Sequence, residues 1–275
     1  MMNEIIENMT FKDYRAVDAV HKHDLDSIRV APAKYRHEQD NEGDDTEALL
    51  YGRLVDQYFE APELFDSRVC VLAFDNFRTK EARQARDDAI ASGKDVCNLA
   101  TMAEIKQLYD TAMQHPGFAL AAESGRKQLS LFWEMEGIQM AGRPDYVIET
   151  DKGYDVIFDL KTTKDASRDS FSRSILTYRY HVQAALYCAG WKAITGRDAQ
   201  FVYAAIEKTP PYLHGCYYAE DIQIELGMSE AKEDIATLKH CIETGKWPSY
   251  NNCIEPIELP RSEEHTSELQ SPNTI

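Results

Sequence analysis

Apolar and polar positions alternate most clearly near the middle of the chain. Residues 138–148 read as a strand, Glu149-Thr150-Asp151-Lys152-Gly153 as a polar turn, and residues 154–160 as a second strand rich in β-formers. In that second strand Asp155, Ile157, Asp159 and Lys161 share one face, and Val156, Phe158 and Leu160 the other. Upstream, residues 128–134 alternate as the first strand of the same sheet, and Glu136-Gly137 turns the chain into the hairpin. Downstream, residues 200–207 extend the sheet, Pro210-Pro211 breaks the strand, and residues 212–218 form another.

Helical periodicity fills the flanks. Residues 3–37 hold a short helical pattern around Asp24-Leu25-Asp26-Ser27-Ile28, and Ala31-Pro32 stops one element and starts the next. Asn41-Glu42-Gly43-Asp44-Asp45 is a loop by composition; Thr46 or Asp45 caps a helix through Leu50, Leu54, Val55 and Phe59, closed by Pro62. Residues 69–74 predict a strand, and Phe77-Arg78-Thr79-Lys80-Glu81 opens a charged helix ending near Gly93. Thr101 with Glu104 predicts a capping box for a helix on Ile105, Leu108, Ala112 and Met113, which Pro116-Gly117 ends. Residues 164–174, rich in Ser, Asp and Arg, read as a substrate-contacting loop. From Ile175 a helix runs to about Ile194, with Gln183 and Tyr187 at i and i+4 on one face. A last helix runs from Ser229 to Gly245, and Trp247-Pro248-Ser249-Tyr250 is expected to pack down after it.

At 275 residues the expectation is one domain of two layers, with a core that needs no covalent staples. No apolar run is long enough to span a bilayer, and Met1-Met2-Asn3-Glu4 lacks the basic and apolar regions of a signal peptide, so a cytoplasmic location without membrane contact is expected. The six cysteines, Cys70, Cys97, Cys188, Cys216, Cys241 and Cys253, contain no C-x-x-C pair and read as reduced thiols rather than a zinc site or a disulfide framework. The net charge of −17 weighs against a broad phosphate-binding surface, because such binding is driven by Lys and Arg releasing counterions. The local field decides, however, and Lys161, Lys164, Arg168, Arg173 and Arg179 fall in one short region together with Arg143. Interleaved with Asp165 and Asp169, they equally fit a solvated face; Arg143 and Lys164 are the best candidates for phosphate contacts.

An antiparallel partner strand brings Asp145 opposite the face of Asp159 and Lys161. Two carboxylates so placed repel unless a cation lies between them, and hard oxygen donors suit Mg²⁺ or Mn²⁺. Lys161 beside the metal can orient an attacking water and offset charge growing on a phosphate. That chemistry is phosphodiester hydrolysis. The competing reading is a surface hairpin with coincidental charges, since Asp-x-Lys alone is common.

Gly142-Arg143-Pro144-Asp145, then Asp159-Leu160-Lys161-Thr162-Thr163, then Tyr180-His181-Val182-Gln183 leading to Tyr187, resembles the PD-(D/E)XK nuclease superfamily. Within it the chain is similar to the RecE-type exonucleases, the C-terminal domain of exodeoxyribonuclease VIII, over most of residues 24–250. The resemblance implies an α/β fold with a restriction-endonuclease-like core, a small mixed β-sheet flanked by helices. It implies one nuclease domain over 1–260, with a helical N-terminal part at 1–119 and a core at about 120–250. It places Mg²⁺, with Mn²⁺ able to substitute, on Asp145, Asp159 and the Leu160 carbonyl, and Lys161 on the water. Gln183 and Tyr187 would orient the lysine or the DNA, and Arg143, Thr162 and Lys164 would contact DNA. It further implies degradation of linear double-stranded DNA from a 5′ end in phage-type recombination, a RecT-like single-strand annealing partner and a ring-shaped homo-oligomer. A structure- or sequence-specific endonuclease on the same fold, and a non-catalytic DNA-binding or assembly module, stand as alternatives.

Two positions depart from that family pattern. Where relatives carry Gly and, four residues later, a metal-directed His, this chain has Gly52 and Asp56; Asp56 either offers oxygen to the same cation or is a solvated helix residue. Gln128 stands where relatives often carry Glu, which leaves it orientation or packing. His181 reads as structural or without an assigned role. The cysteine group that holds an iron–sulfur cluster in some related nucleases is absent. Finally, residues 261–275 resemble a translated sequencing-library adapter, which implies that the authentic C-terminus is missing; the tail contributes −2, so the rest of the chain carries −15.

Overall fold

A computed structural model of the protein describes residues 2–41 and 46–257, so the predicted loop and alternative cap within 42–45 and the predicted tail lie outside the described residues. A short strand β1 (Glu4–Ile6) and helix α1 (Phe11–Ala16) lead to α2 (Lys22–Val30) and α3 (Pro32–Asp40). Extended backbone at Ala31 stops α2, and Pro32 starts α3 at its first helical position, where a missing N–H costs nothing. Helix α4 (Glu47–Glu60) opens on Thr46, whose hydroxyl accepts from the Leu49 N–H at 3.2 Å. Then come α5 (Phe65–Arg68), β2 (Val69–Leu72), α6 (Lys80–Ala91), β3 (Asp95–Asn98), α7 (Leu99–Ala112) and α8 (Pro116–Ser124).

In this half one strand is added and two expectations are corrected. β3, too short to show a period, pairs parallel with β2 in a two-stranded sheet of its own. Asn98, not Thr101, caps α7, accepting from the Thr101 N–H at 2.8 Å. Pro116 starts α8 rather than simply ending α7, with the His115 ring accepting from the Gly117 N–H.

The second half builds the sheets: β4 (Arg126–Lys127), β5 (Ser130–Met135), β6 (Ile138–Gly142), β7 (Tyr146–Ile148) and β8 (Tyr154–Thr163). Glu136 and Gly137, both left-handed at φ 52° and 78°, make the tight turn between β5 and β6. The predicted strand at 138–148 is two strands in two sheets. β6 joins β5 and β1 in a three-stranded sheet, whereas β7 lies in a five-stranded mixed sheet. Pro144 has no N–H for a ladder, and Gln128 and Leu160 take up the Asp145 backbone and side chain, so the chain crosses between sheets here. Residues 128–134 are therefore not the first strand of the hairpin's sheet.

Helix α9 (Arg168–Thr177) replaces the predicted loop at 164–174: Phe171 and Ile175, four apart, are buried while its Ser, Asp and Arg positions face outward. The helix predicted from Ile175 is broken at Arg179, a left-handed residue at φ 53°, and resumes as α10 (Tyr180–Thr195). β9 (Asp198–Glu207), β10 (His214–Tyr218) and α11 (Asp221–Thr244) complete the described fold, α11 starting well before Ser229 and stopping at left-handed Gly245. Trp247 packs on Tyr35 with ring centroids 5.6 Å apart, and the Pro248 carbonyl accepts from the Ala33 N–H, but Tyr250 is exposed.

The five-stranded order is β10-β9-β8-β7-β4. β8 lies in its middle, antiparallel to β7 and parallel to β9 along ten residues. Its predicted alternation holds. Ile157 joins Phe201, Tyr203 and Ala205 under α10 and α11, and Phe158 and Leu160 join Ala204 and Ile206 under α4, α7 and α8. Each such side chain withdrawn from water contributes about 1.5–3 kcal/mol, which is why this strand can hold charged residues rigidly. Asp155, on the charged face, is a structural anchor: Arg197 Nη2 at 2.7 Å, Trp191 Nε1 at 2.9 Å and the Thr150 N–H at 2.9 Å all donate to it.

Candidate active site

The crossing from β6 to β7 delivers Asp145 beside the end of β8. Its Oδ2 accepts the Leu160 N–H at 2.7 Å, and its Oδ1 accepts from Gln128 Nε2 at 2.8 Å. Gly142 permits the approach, because a Cβ there would lie 2.7 Å from the Tyr187 ring. From β8, Asp159 and Lys161 form an ion pair, and Gln183 Nε2 on α10 donates to Asp159 Oδ1 at 3.1 Å. One turn along α10, the Tyr187 hydroxyl has the Arg143 backbone and the Gln183 side chain as partners, and burial pushes it up to about 12. Gln183 thus touches the charged centre directly, while Tyr187 steadies the strand crossing from beneath.

Helix α4 closes the other side. Asp56, Glu60, Gln128, Asp145 and Leu160 line one narrow cleft. Asp56 keeps part of its surface exposed, yet protein packed around the carboxyl, with the Asp159 and Glu60 charges added and Lys161 opposing, pushes it up to about 7. Asp145 is held well above the usual carboxylate range, first by burial and then by the Asp159 and Asp56 charges, against the pull of Lys161 and the Leu160 N–H. Burial works against the Lys161 charge, but Asp159 and Asp145 outweigh it and hold the ammonium above its usual range. The mutual repulsion of these carboxylates, only partly offset by Lys161, favours keeping a proton on Asp145 and Asp56 while no cation is bound.

A family model described as "PDDEXK-like domain of unknown function (DUF3799)" matches residues 22–260. The chain belongs to this PDDEXK-like family. Among solved structures, a candidate exonuclease from Eubacterium rectale is similar at 17% identity with a TM-score of 0.64, over 95% of this chain and 98% of that one. At that identity the likeness is one of fold. A second protein, SSO0001, aligns at 13% identity over 80% of this chain and 76% of its own, with a TM-score of 0.36. No curated protein sequence matches significantly. The mixed sheet with flanking helices is the α/β fold this PDDEXK-like family implies. Among the described residues no helix is long and apolar enough to cross a membrane.

PDDEXK nucleases work with divalent metal ions. The donors in this PDDEXK-like domain fit such an ion by chemistry: Asp145, Asp159, Asp56 and Glu60 offer hard carboxylate oxygens, and a cation among them would offset the repulsion that raises Asp145 and Asp56. As arranged, no three His, Cys, Asp or Glu side chains among the described residues converge on an ion-sized position. Asp145 is turned to Leu160 and Gln128, and Asp159 to Lys161 and Gln183, so loading would exchange those bonds for metal contacts.

The expected DNA contacts divide. Arg143 is half-buried, its Nε donates to Gln128 Oε1 at 3.0 Å, its guanidinium lies 5.6 Å from the Tyr14 ring centroid, and its Nη1 is buried without a hydrogen-bond partner among the described residues. Thr162 is half-buried near the end of β8, and Lys164, Arg168 and Arg173 are exposed beyond it. Arg179 is taken out of that set, because Asp26, Glu230 and Asp234 hold its guanidinium. His181 is buried against Glu230 and the Ile175 carbonyl, as its structural reading implied. Glu60, at 2.6 Å from Arg68, belongs to the site and was not found from the sequence, although its i+4 spacing from Asp56 on α4 carried the signal. Tyr14, from a distant helix, carried none.

Proposed function

We propose that the protein is a metal-dependent deoxyribonuclease that hydrolyses phosphodiester bonds of linear double-stranded DNA as an exonuclease. The observation that carries the reading is Asp145 on the Leu160 N–H, next along β8 to the Asp159–Lys161 ion pair, with Asp56 and Glu60 of α4 lining the cleft that Asp145 enters. Asp145, Asp159, the Leu160 carbonyl and Asp56 would hold the divalent ion, Mg²⁺ with Mn²⁺ as substitute. The ion supplies Lewis acidity at the scissile phosphate. Lys161 places a positive charge where negative charge grows on the phosphoryl oxygens and holds the attacking water. Gln183 fixes Asp159, and Gln128 fixes both Asp145 and Arg143. Arg143, whose buried Nη1 has no hydrogen-bond partner among the described residues, would give that donor to a phosphate once it is uncovered, and Thr162 and Lys164 would add further contacts.

Attack from the 5′ end, a role in phage-type recombination beside a RecT-like annealing protein, a ring-shaped homo-oligomer, a cytoplasmic setting and one nuclease domain over 1–260 complete the proposal. They rest on the resemblance of Pro144-Asp145, Asp159-Leu160-Lys161 and Gln183/Tyr187 to RecE-type exonucleases. The test is a linear duplex labelled at either end, incubated with Mg²⁺ or with chelator, beside a covalently closed circle. Release of nucleotides from one labelled end, abolished by chelator and absent on the circle, is expected. Cleavage of the circle would instead identify an endonuclease, and no cleavage of either substrate would leave a DNA-binding or assembly module.

A further inference from the structure

Beside Lys161 an aromatic stack runs outward from the core. Phe171 is buried at 1% exposure, Tyr180 lies 6.2 Å from it, and Tyr178 stacks on Tyr180 at 5.5 Å with an interplanar angle of 29°. Tyr178, the outermost ring, is 58% exposed. Tyr180 also lies under the Lys161 ammonium, which is 5.0 Å from its ring centroid. The exposed ring therefore stands only one aromatic layer away from the lysine of the candidate active site.

The backbone is bent to make this arrangement. Residues two apart on a helix point in different directions, so Tyr178 and Tyr180 could not stack if α9 ran on into α10. Arg179 between them is left-handed at φ 53°, a conformation that disfavours side chains with a Cβ. It is held there by Asp26 on α2 and by Glu230 and Asp234 on α11, while Lys22 Nζ donates to the Tyr178 carbonyl at 2.6 Å. Two helices are thus spent on fixing a strained turn whose product is a solvent-facing tyrosine. Packing does not require that tyrosine.

We propose that Tyr178 is a stacking platform for a nucleobase at the end of the strand being cut. This rests on the nuclease reading above and names the form of its substrate. An exposed ring ending an aromatic stack takes another flat π-face as its next layer, and any base supplies one without regard to sequence. A base inside a duplex has both faces covered by its neighbours, so the ring takes a base at a strand end, where one face is open, or on a single strand. The platform then holds the terminal base while the adjoining phosphate reaches Asp159 and Lys161.

Two measurements on the full chain test this. In chelator, a single strand carrying 2-aminopurine at its end is titrated with protein; the parent should change its fluorescence on binding, Tyr178→Ala should weaken binding about tenfold, the scale of one base–aromatic stack, and Tyr178→Phe should restore it. With Mg²⁺, the kcat/KM preference for an ordinary single strand over a strand abasic along its labelled end should fall about tenfold in Tyr178→Ala and return in Tyr178→Phe. Equal binding by parent and Tyr178→Ala, an unchanged preference, or a Tyr178→Phe as impaired as the alanine variant would overturn the platform. A parent that binds the strand but cuts nothing overturns the nuclease reading, and the fluorescence arm then decides the platform alone.

Discussion

At the scale of single residues, the two motif aspartates are not equivalent. Asp145 is penalised by burial and by its carboxylate neighbours, whereas Asp159 has Lys161 as an ion-pair partner. Asp145→Asn and Asp159→Asn should both lose Mg²⁺-dependent cleavage, yet without metal the first should melt no lower than the parent and the second about 1–3 kcal/mol lower, because it leaves the lysine unpaired. Calorimetry beside the end-label assay checks both. Asp56, beside Asp145 whose carboxyl is also raised, contributes to the pH dependence. Folding raises its carboxyl to about 7, so the folded state keeps a proton that the unfolded chain releases near pH 4; the stability this contributes is present at low pH and is lost as pH rises through about 7. Metal-free melting temperatures should therefore fall across that window, and Asp56→Asn should flatten the fall. At this scale much was legible in the sequence: Asp145, Asp159, Lys161 and Gln183 meet because a strand face and a helix face have fixed periods. Glu60 and Tyr178 were not, since one needed the position of α4 against β8 and the other a backbone bend at Arg179.

Between elements, Arg179 is the residue to remove. It bridges Asp26 on α2 to Glu230 and Asp234 on α11, and Asp234 is only 2% exposed. Arg179→Ala should cost about 3 kcal/mol, moderated because Arg29 Nε remains 3.0 Å from Asp234. Arg179→Gly should cost roughly 1 kcal/mol less, because glycine accepts φ 53° without strain. Denaturant unfolding of both variants separates the charges from the backbone. The same residue shows where sequence reading stops. Ile175 to Ile194 is apolar enough for one helix, and nothing local marks Arg179 as left-handed; the three carboxylates that hold it come from far along the chain. Likewise β6 and β7 read as one strand because the alternation continues across Pro144, and only the partner strands reveal two sheets. The sequence of α9 resembles a loop because two buried positions, Phe171 and Ile175, are few among its Ser, Asp and Arg.

For the whole molecule, an acidic body with a few exposed cations near β8 would set how the proposed nuclease holds DNA. A net charge of −17 repels the duplex at large, so contact should be confined to the neighbourhood of Arg143, Lys164 and Arg173. Single-strand affinity measured against salt should show a shallow slope, and Lys164→Ala with Arg173→Ala should reduce its magnitude by about 1–2. The place of Lys161 and Asp159 within the sheet has a mechanical consequence. Tension on a strand gripped at those residues enters the fold through β8, which is flanked on both edges and bonded to β9 along ten residues. A load along that axis shears the ladder, so its bonds resist together instead of opening one after another. The protein should hold its grip under forces that would peel an edge strand away.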